Sequence, residues 1–266
     1  MDRRSMLSMM AAGTAMAVAG CSAAQGDPVA VDAPERPEVA GPARAPVRPA
    51  LLPPPVGRKT SIPPATITAL PGPGSSMALT VDDGASAEVV GAYIRFAKDT
   101  GARFTFFVTA YYQSWIEHRD ELRPLVESGQ IQLANHTWDH ADLTALSDLA
   151  VADDLSRCKL FLQNMFGVDG MPYYRPPFGR HNARVDRVAA DLGYTVPVMW
   201  YGSLSDSGLI TEQYLIDCAR RYFTPQSIVI GHANFPPVTR CYGQLVDIIR
   251  ERNLSLVTLD DVLTVA

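Results

Sequence analysis

Asp82, Asp83, His136, His140, Arg175 and His232 each stand where an apolar run of the chain ends, and their side chains are the kinds that bind metals and move protons. Asp82 and Asp83 are adjacent in Thr80-Val81-Asp82-Asp83-Gly84. Two carboxylates in a small apolar site force one of them to take up a proton unless a cation lies between them. A solvated turn, in which one Asp caps the following helix, is the other reading of the pair. His136-Thr137-Trp138-Asp139-His140 sets two imidazoles four residues apart, so one helical turn would bring both to one side as neighbouring metal ligands; otherwise they are two independent surface histidines. The chain holds only five histidines, and a third of these candidates, His232, follows the apolar run Ser227–Ile230. It is either a chemical group or a buried structural histidine. Arg175-Pro176-Pro177-Phe178-Gly179 is a stiff exit, in which the prolines fix the backbone and Gly179 permits close approach.

These residues need a scaffold that brings scattered positions together. Short apolar runs at Met77–Val81, Arg103–Thr109, Ile131–Ala134, Met171–Arg175, Val196–Trp200, Ser227–Ile230 and Ser255–Thr258 read as strands. Between them, Ala85–Thr100, Arg119–Ser128, Leu146–Phe166, Asn182–Leu192, Thr211–Tyr222 and Gln244–Arg252 read as helices, several followed by a glycine suited to a left-handed cap. Seven strands alternating with helices predict an α/β fold, an incomplete or distorted parallel barrel, with a doubly wound open sheet as the alternative. In a parallel barrel the carboxyl ends of the strands share one face, and active sites are built there.

Taken in order, the blocks Thr80–Gly84, His136–His140, Arg175–Gly179 and Ile228–His232 resemble the polysaccharide deacetylases of the NodB-homology type, carbohydrate esterase family 4. The resemblance runs from Met77 to the C-terminus and implies a distorted (β/α)7 barrel. It implies that Asp83, His136 and His140 hold a divalent metal, most simply Zn2+, that Asp82 is the general base, and that Arg175 keeps Asp82 charged and oriented. It further implies an oxyanion and substrate site at Phe178, Gly179 and Ile230, with His232 as the acid that protonates the leaving amine. One block departs from the family pattern: where D-x-x-D-W is usual, this chain reads Ser203-Leu204-Ser205-Asp206-Ser207. With the first Asp taken as the partner of the acid histidine, the support of His232 is in doubt, and Asp206 is the candidate substitute. An unpartnered imidazolium has a lowered pKa, so activity is expected to fall early on the alkaline side. The missing Trp leaves one wall of the acetyl pocket undefined.

The start of the chain suggests where this chemistry takes place. Arg3 and Arg4, the apolar stretch Met6–Val18 and Val18-Ala19-Gly20-Cys21 resemble a bacterial lipoprotein signal, with Cys21 as the lipidated residue, and Arg3-Arg4 also resembles a degenerate twin-arginine signal. Residues 22–61 read as a Pro/Ala-rich disordered linker, since Ala23–Gly74 holds 13 of the 21 prolines and shows no periodicity able to bury a face. The catalytic domain is expected to span residues 62–266. The expected product is an exported, lipid-anchored monomer facing the cell wall or periplasm. Its expected substrate is an acetylated polysaccharide, peptidoglycan ahead of others. An O-acetyl esterase of the same fold and a non-catalytic carbohydrate-binding lipoprotein are the alternatives. A net charge of −5 gives no reason to expect a nucleic-acid partner. Cys158, Cys218 and Cys241 remain for an oxidising compartment, with Cys218–Cys241 the expected disulfide.

Overall fold

The structure, a computed structural model, describes residues 50–54 and 57–266. In chain order the elements are β1 (Thr60–Ile62), β2 (Ser76–Asp83), α1 (Ala87–Thr100), β3 (Phe104–Val108), α2 (Ser114–Glu117), α3 (Arg119–Glu127), β4 (Ile131–Asn135), α4 (Asp148–Phe166), β5 (Tyr173–Tyr174), α5 (Ala183–Asp191), β6 (Val196–Pro197), β7 (Gly202–Ser203), α6 (Glu212–Tyr222), β8 (Ile228–His232), α7 (Tyr242–Glu251), β9 (Ser255–Leu256), α8 (Leu259–Val262) and β10 (Leu263–Val265). Every residue of β2, β3 and β4 is buried, because helices cover the outside of a parallel sheet while side chains fill the inside. The helices begin at side-chain caps, Ser86, Ser147, Asn182 and Thr211 for α1, α4, α5 and α6. Helices α1 and α4 end at Gly101 and Gly167, both left-handed.

The main sheet runs β6-β5-β4-β3-β2-β8-β7, with β9 also pairing β2, and all its pairs are parallel. Its two edge strands, β6 and β7, are joined by only Val198–Tyr201. Five Cα steps from Pro197 to Gly202 reach at most roughly 19 Å, whereas seven flat strands would hold their edges roughly 29 Å apart. The sheet must therefore curl, and the result is the expected distorted seven-stranded barrel, not an open doubly wound sheet. Pro197 sits on an edge strand, where its missing N–H breaks no central ladder.

The expected strands and helices are all present, several of them shorter. Three strands were not expected. β1 pairs in parallel with β10, Thr60 opposite Leu263, so the last residues of the stretch read as linker form part of the domain. Leu51, also within that stretch, is buried in the main core and its N–H donates to Thr100 O at 2.8 Å. The third, β7, lies inside the altered fourth block. The lipidation candidate Cys21 and the signal lie outside the described residues. Among the described residues no helix is long and apolar enough to cross a membrane. The expected Cys218–Cys241 disulfide is not formed: Cys158, Cys218 and Cys241 are free and buried. Their sulfurs face separate partners, the Cys218 thiol toward Ser205 Oγ at 3.5 Å and the Cys241 thiol toward Pro237 O at 3.4 Å.

Candidate active site

The carboxyl ends of β2, β4, β5, β7 and β8 open into one cleft of about 510 Å³, lined among others by Asp82, Asp83, His136, His140, His232 and Trp200. Asp82, next to last in β2, stands opposite His232 of β8 in the sheet register, which is why residues 150 positions apart face one another. The chain then turns at Asp83 (φ 73°) and Gly84 (φ 99°). A Cβ on Gly84 would stand 2.3 Å from the buried Trp115 ring, so only glycine lets this turn pack. Trp115 Nε1–H donates to Asp83 O (3.2 Å) and Thr109 O (3.1 Å), fixing the turn from beneath.

The two imidazoles do not share a helical turn, as the spacing had suggested. They sit on a loop after β4 with left-handed backbone at Thr137 (φ 72°) and His140 (φ 64°). Asn135 Oδ1 accepts from Thr137 N (2.8 Å), Thr137 Oγ1 from His140 N (3.0 Å), and Asp154 Oδ1 from Trp138 N (2.5 Å). Burial pushes the Asp154 carboxyl up to about 6 against those backbone hydrogen bonds. Asp83, Thr137, His140 and Phe178 (φ 59°) thus place four non-glycine residues in the left-handed region around one cleft, a concentration of strain found at functional sites.

Whether these residues suit a metal can be judged from their atoms. His136 Nδ1 lies 2.7 Å from Arg175 O, a carbonyl that only accepts, so Nδ1 carries the proton and the neutral ring offers Nε2 as a lone pair. Asn234 Nδ2 donates to Asp83 Oδ2 at 2.6 Å, leaving Asp83 Oδ1 buried with no hydrogen bond from the described residues. That orphaned oxygen lies 3.4 Å from His136 Nε2 and 3.3 Å from His140 Nε2. The edge of a tetrahedron with metal–ligand bonds of about 2.0–2.1 Å is about 3.3–3.4 Å. Three electron-pair donors at that spacing fit a divalent cation, and Asp83, His136 and His140 are the residues able to hold one. The electrostatics agree. Burial alone would raise Asp83 and lower His136, yet the ring of His136 draws the carboxyl well below its usual range, and Asp82 and Asp83 raise the imidazole. The pocket attracts positive charge. His140, half-buried beside His136, is shifted down by burial and by that neighbour.

Arg175 is fully buried and spends its donors on a cradle. Nη1 reaches Asp82 Oδ1 (2.6 Å) and Thr80 Oγ1 (2.9 Å), Nε reaches Val198 O (2.8 Å), and the guanidinium lies 4.1 Å from the Phe107 ring centre. Asp82 is thereby held by one oxygen, with Oδ2 turned toward His136 Nε2 at 3.5 Å. Phe178, Gly179 and Ile230 line the cleft as expected. The Phe178 ring lies edge-on to His140 with centroids 4.6 Å apart. Trp200 supplies an aromatic wall that the altered block lacks, touching the space beside Gly179.

Asp206, the candidate substitute, stands at His232, so the lowered pKa expected of an unpartnered imidazolium does not hold. His232 Nδ1 lies 3.0 Å from Oδ1 of the buried Asp206. Burial lowers this imidazole, but the Asp206 hydrogen bond and the charges of Asp82, Asp206 and Asp83 outweigh burial and raise it above its ordinary range. The reason that position 206 serves and position 203 does not lies in β7. Ser203 pairs with Ile230, two residues short of His232, so it sits roughly 6.6 Å down the strand from the imidazole, whereas Asp206 comes just past the strand end. Ser203 Oγ instead accepts from Ser205 N at 2.8 Å. Reading the residues singly missed Thr80, Asn135, Asp154 and Asn234. Asn234, two residues after a strand-end histidine, was the one with a usable signal.

Residues 69–197 match the family model described as polysaccharide deacetylase. A chitin deacetylase of Arthroderma benhamiae is 25% identical over 207 residues, 71% of this chain and 52% of its own length. The peptidoglycan-N-acetylglucosamine deacetylase PgdA of Listeria monocytogenes is 25% identical over 190 residues, 70% of this chain and 38% of its own. The chain thus spans about half the length of the first of these relatives and less of the second. The solved structure of BA3943, a CE4 family pseudoenzyme from Bacillus anthracis, aligns with TM-score 0.66 at 18% identity over 76% of this chain and 69% of its own, a likeness of fold. Residues 69–197 are thus similar to the polysaccharide deacetylase family, and the structural neighbour shares the fold.

Proposed function

We propose that this chain hydrolyses N-acetyl groups on a cell-envelope polysaccharide, with peptidoglycan as the substrate. The observation that carries the reading is one cleft bounded by a three-donor cation site, a carboxylate tied to a buried arginine, and a histidine tied to a buried aspartate. A divalent cation held by Asp83, His136 and His140, Zn2+ being the simplest, supplies Lewis acidity toward the acetyl group and the attacking water. Asp82 takes the proton from that water through Oδ2, while Arg175 keeps the carboxylate from rotating away. A backbone N–H near Phe178, which lines the cleft, would stabilise the developing oxyanion, as the family resemblance implies. His232, with Nδ1 engaged by Asp206, gives up its proton from Nε2 to the departing amine. That last step favours an amide substrate over an O-acetyl ester, because an amine leaves poorly as an anion whereas an alkoxide needs less help. A non-catalytic binder needs neither the Arg175–Asp82 nor the Asp206–His232 pair.

The choice of peptidoglycan rests on the Listeria relative and on the lipoprotein-type start ending at Cys21, which would hold the domain at the membrane facing the wall. Chitin is the competing polysaccharide, from the fungal relative. Acetate release is to be measured from purified peptidoglycan, chitooligosaccharides and acetylxylan, with chelator and with Zn2+ restored. Metal-dependent release greatest from peptidoglycan is the expected result. Release greatest from chitooligosaccharides would overturn the substrate, greatest from acetylxylan the bond type, and none from any of the three the enzymatic reading.

A further inference from the structure

Helix α4 grips the middle of the loop that carries both imidazoles, and it does so with a buried carboxylate. Asp154, Arg157 and Phe161 stand at i, i+3 and i+7, so they share one face of the helix. All three meet Trp138, midway between His136 and His140. Asp154 Oδ1 accepts from Trp138 N at 2.5 Å, the Arg157 guanidinium lies 4.3 Å from the Trp138 ring centre, and the Phe161 ring stands edge-on to it with centroids 6.4 Å apart. Beside them, Leu155 O accepts from Asn135 Nδ2 at 2.9 Å, and Asn135 Oδ1 in turn accepts from Thr137 N. The amides of residues 137 and 138 are thus both tied back to α4, one through Asn135 and one directly.

These ties matter because the loop is not in a conformation it would adopt freely. Thr137 (φ 72°) and His140 (φ 64°) lie in the left-handed region, which is costly for side chains other than glycine and most of all for a β-branched one. A carboxylate is also a poor residue for packing a helix. Asp154 is only 7% exposed, and its Oδ2 is buried with no hydrogen bond from the described residues. An apolar residue would pack α4 without that cost, so what Asp154 contributes is a charged acceptor aimed at the Trp138 amide. We infer that Asp154 is a positioning residue for the two histidine ligands. Through the Trp138 amide it holds the loop in the strained form that sets His136 Nε2 and His140 Nε2 at 3.4 Å and 3.3 Å from Asp83 Oδ1. His136 follows directly on β4 and is anchored at Nδ1 by Arg175 O, so the loss of Asp154 falls mainly on His140, at the far end of the loop.

The inference rests on the cation site proposed above, though not on the reaction, and the test keeps the two apart. Zinc affinity is to be measured by calorimetric titration of the full chain and of its Asp154→Ala and Asp154→Asn variants, with Asp154→Val, which fills the space left by alanine, in place of Asp154→Ala should that variant not fold. Asp154→Ala weakens zinc by about ten- to hundredfold, the usual loss when a group that orients a metal ligand is removed. Asp154→Asn keeps an oxygen acceptor at the same place and retains the affinity of the full chain. A role in helix packing alone would lower Tm without separating the zinc affinities of the two variants. Crystal structures of the metal-free full chain and of the metal-free alanine or valine variant give the second measurement: in the variant, His140 Nε2 moves away from Asp83 Oδ1 and Thr137 leaves the left-handed region. Unchanged zinc affinity in that variant, an Asp154→Asn variant as weak as it, or an unmoved loop would each overturn the inference. If the full chain itself binds no zinc, the cation site falls, and the metal-free structures alone decide whether Asp154 sets the loop.

Discussion

Replacing Asp206 by Asn keeps an acceptor for His232 Nδ1 while deleting the charge, so it isolates the electrostatic part of the pair. The partners are 3.0 Å apart and buried, with side-chain exposures of 13% and 3%, so little solvent screening applies. A hydrogen bond to a charged group in such a place is worth about 1.5–3 kcal/mol. At about 1.36 kcal/mol per pKa unit, that corresponds to a fall of about one to two units in the His232 imidazolium pKa. The sign follows from the role. Asp206 raises this imidazole, the acid form is populated below the raised pKa, and activity is lost as pH rises through it. Removing the charge moves the alkaline limb of kcat/KM to lower pH by about one to two units. The assay is initial rates of acetate release from pH 6 to 10, with zinc held saturating so that metal loss does not enter. Ser203→Asp should leave the limb in place, because the β7 register holds that residue beside Ile230 and short of the ring. A limb unmoved in both Asp206→Asn and Asp206→Ala would refute the pairing as the control on His232.

The other expected outcomes concern the metal, the base, the turn and the domain edge. His136→Ala or His140→Ala lowers zinc content by at least about tenfold and abolishes turnover, whereas Asp82→Asn retains zinc and loses about 10²–10⁴ in kcat, both read by metal analysis beside kinetics. Zinc affinity falls as pH drops through the imidazole range, because Asp82 and Asp83 raise His136 and so let protons compete for Nε2; calorimetric titration with zinc at a series of pH values checks the direction. Gly84→Ala drives a methyl group into the Trp115 ring at a left-handed position and should cost at least about 2 kcal/mol in thermal unfolding. A chain beginning at Ile62 loses Leu51 from the core and part of β1, so it should be about 2–3 kcal/mol less stable than one beginning at Ala50, visible as a lowered Tm.

Much of this protein could be read from the order of its residues alone. Apolar runs alternating with amphipathic ones fix a βα repeat, because strand and helix bury side chains at different periods, and the chemical residues fall at the ends of those runs. A parallel sheet gathers strand ends on one face, so Asp82, Asp83, His136, His140, Arg175 and His232 were expected to converge, and the family resemblance singled out Asp83, His136 and His140 among them as ligands. What stayed hidden depends on which strand lies beside which, and at what register. Ser203 and Asp206 look interchangeable as neighbours in sequence, and only the pairing of Ser203 with Ile230 puts Asp206 at the imidazole. The Asn234 bond to Asp83 and the Arg175 cradle at Thr80 join residues 151 and 95 positions apart. Short strands such as β1, β7 and β10 carry too few residues for a period to show, and their positions are set by partners, not by propensity. The sequence thus determined which groups are present and that they would face one cleft. The curl and register of the sheet decided which group grips which, because hydrogen bonds are specified to a few tenths of an ångström and a strand shifted by one residue turns every side chain to the other face.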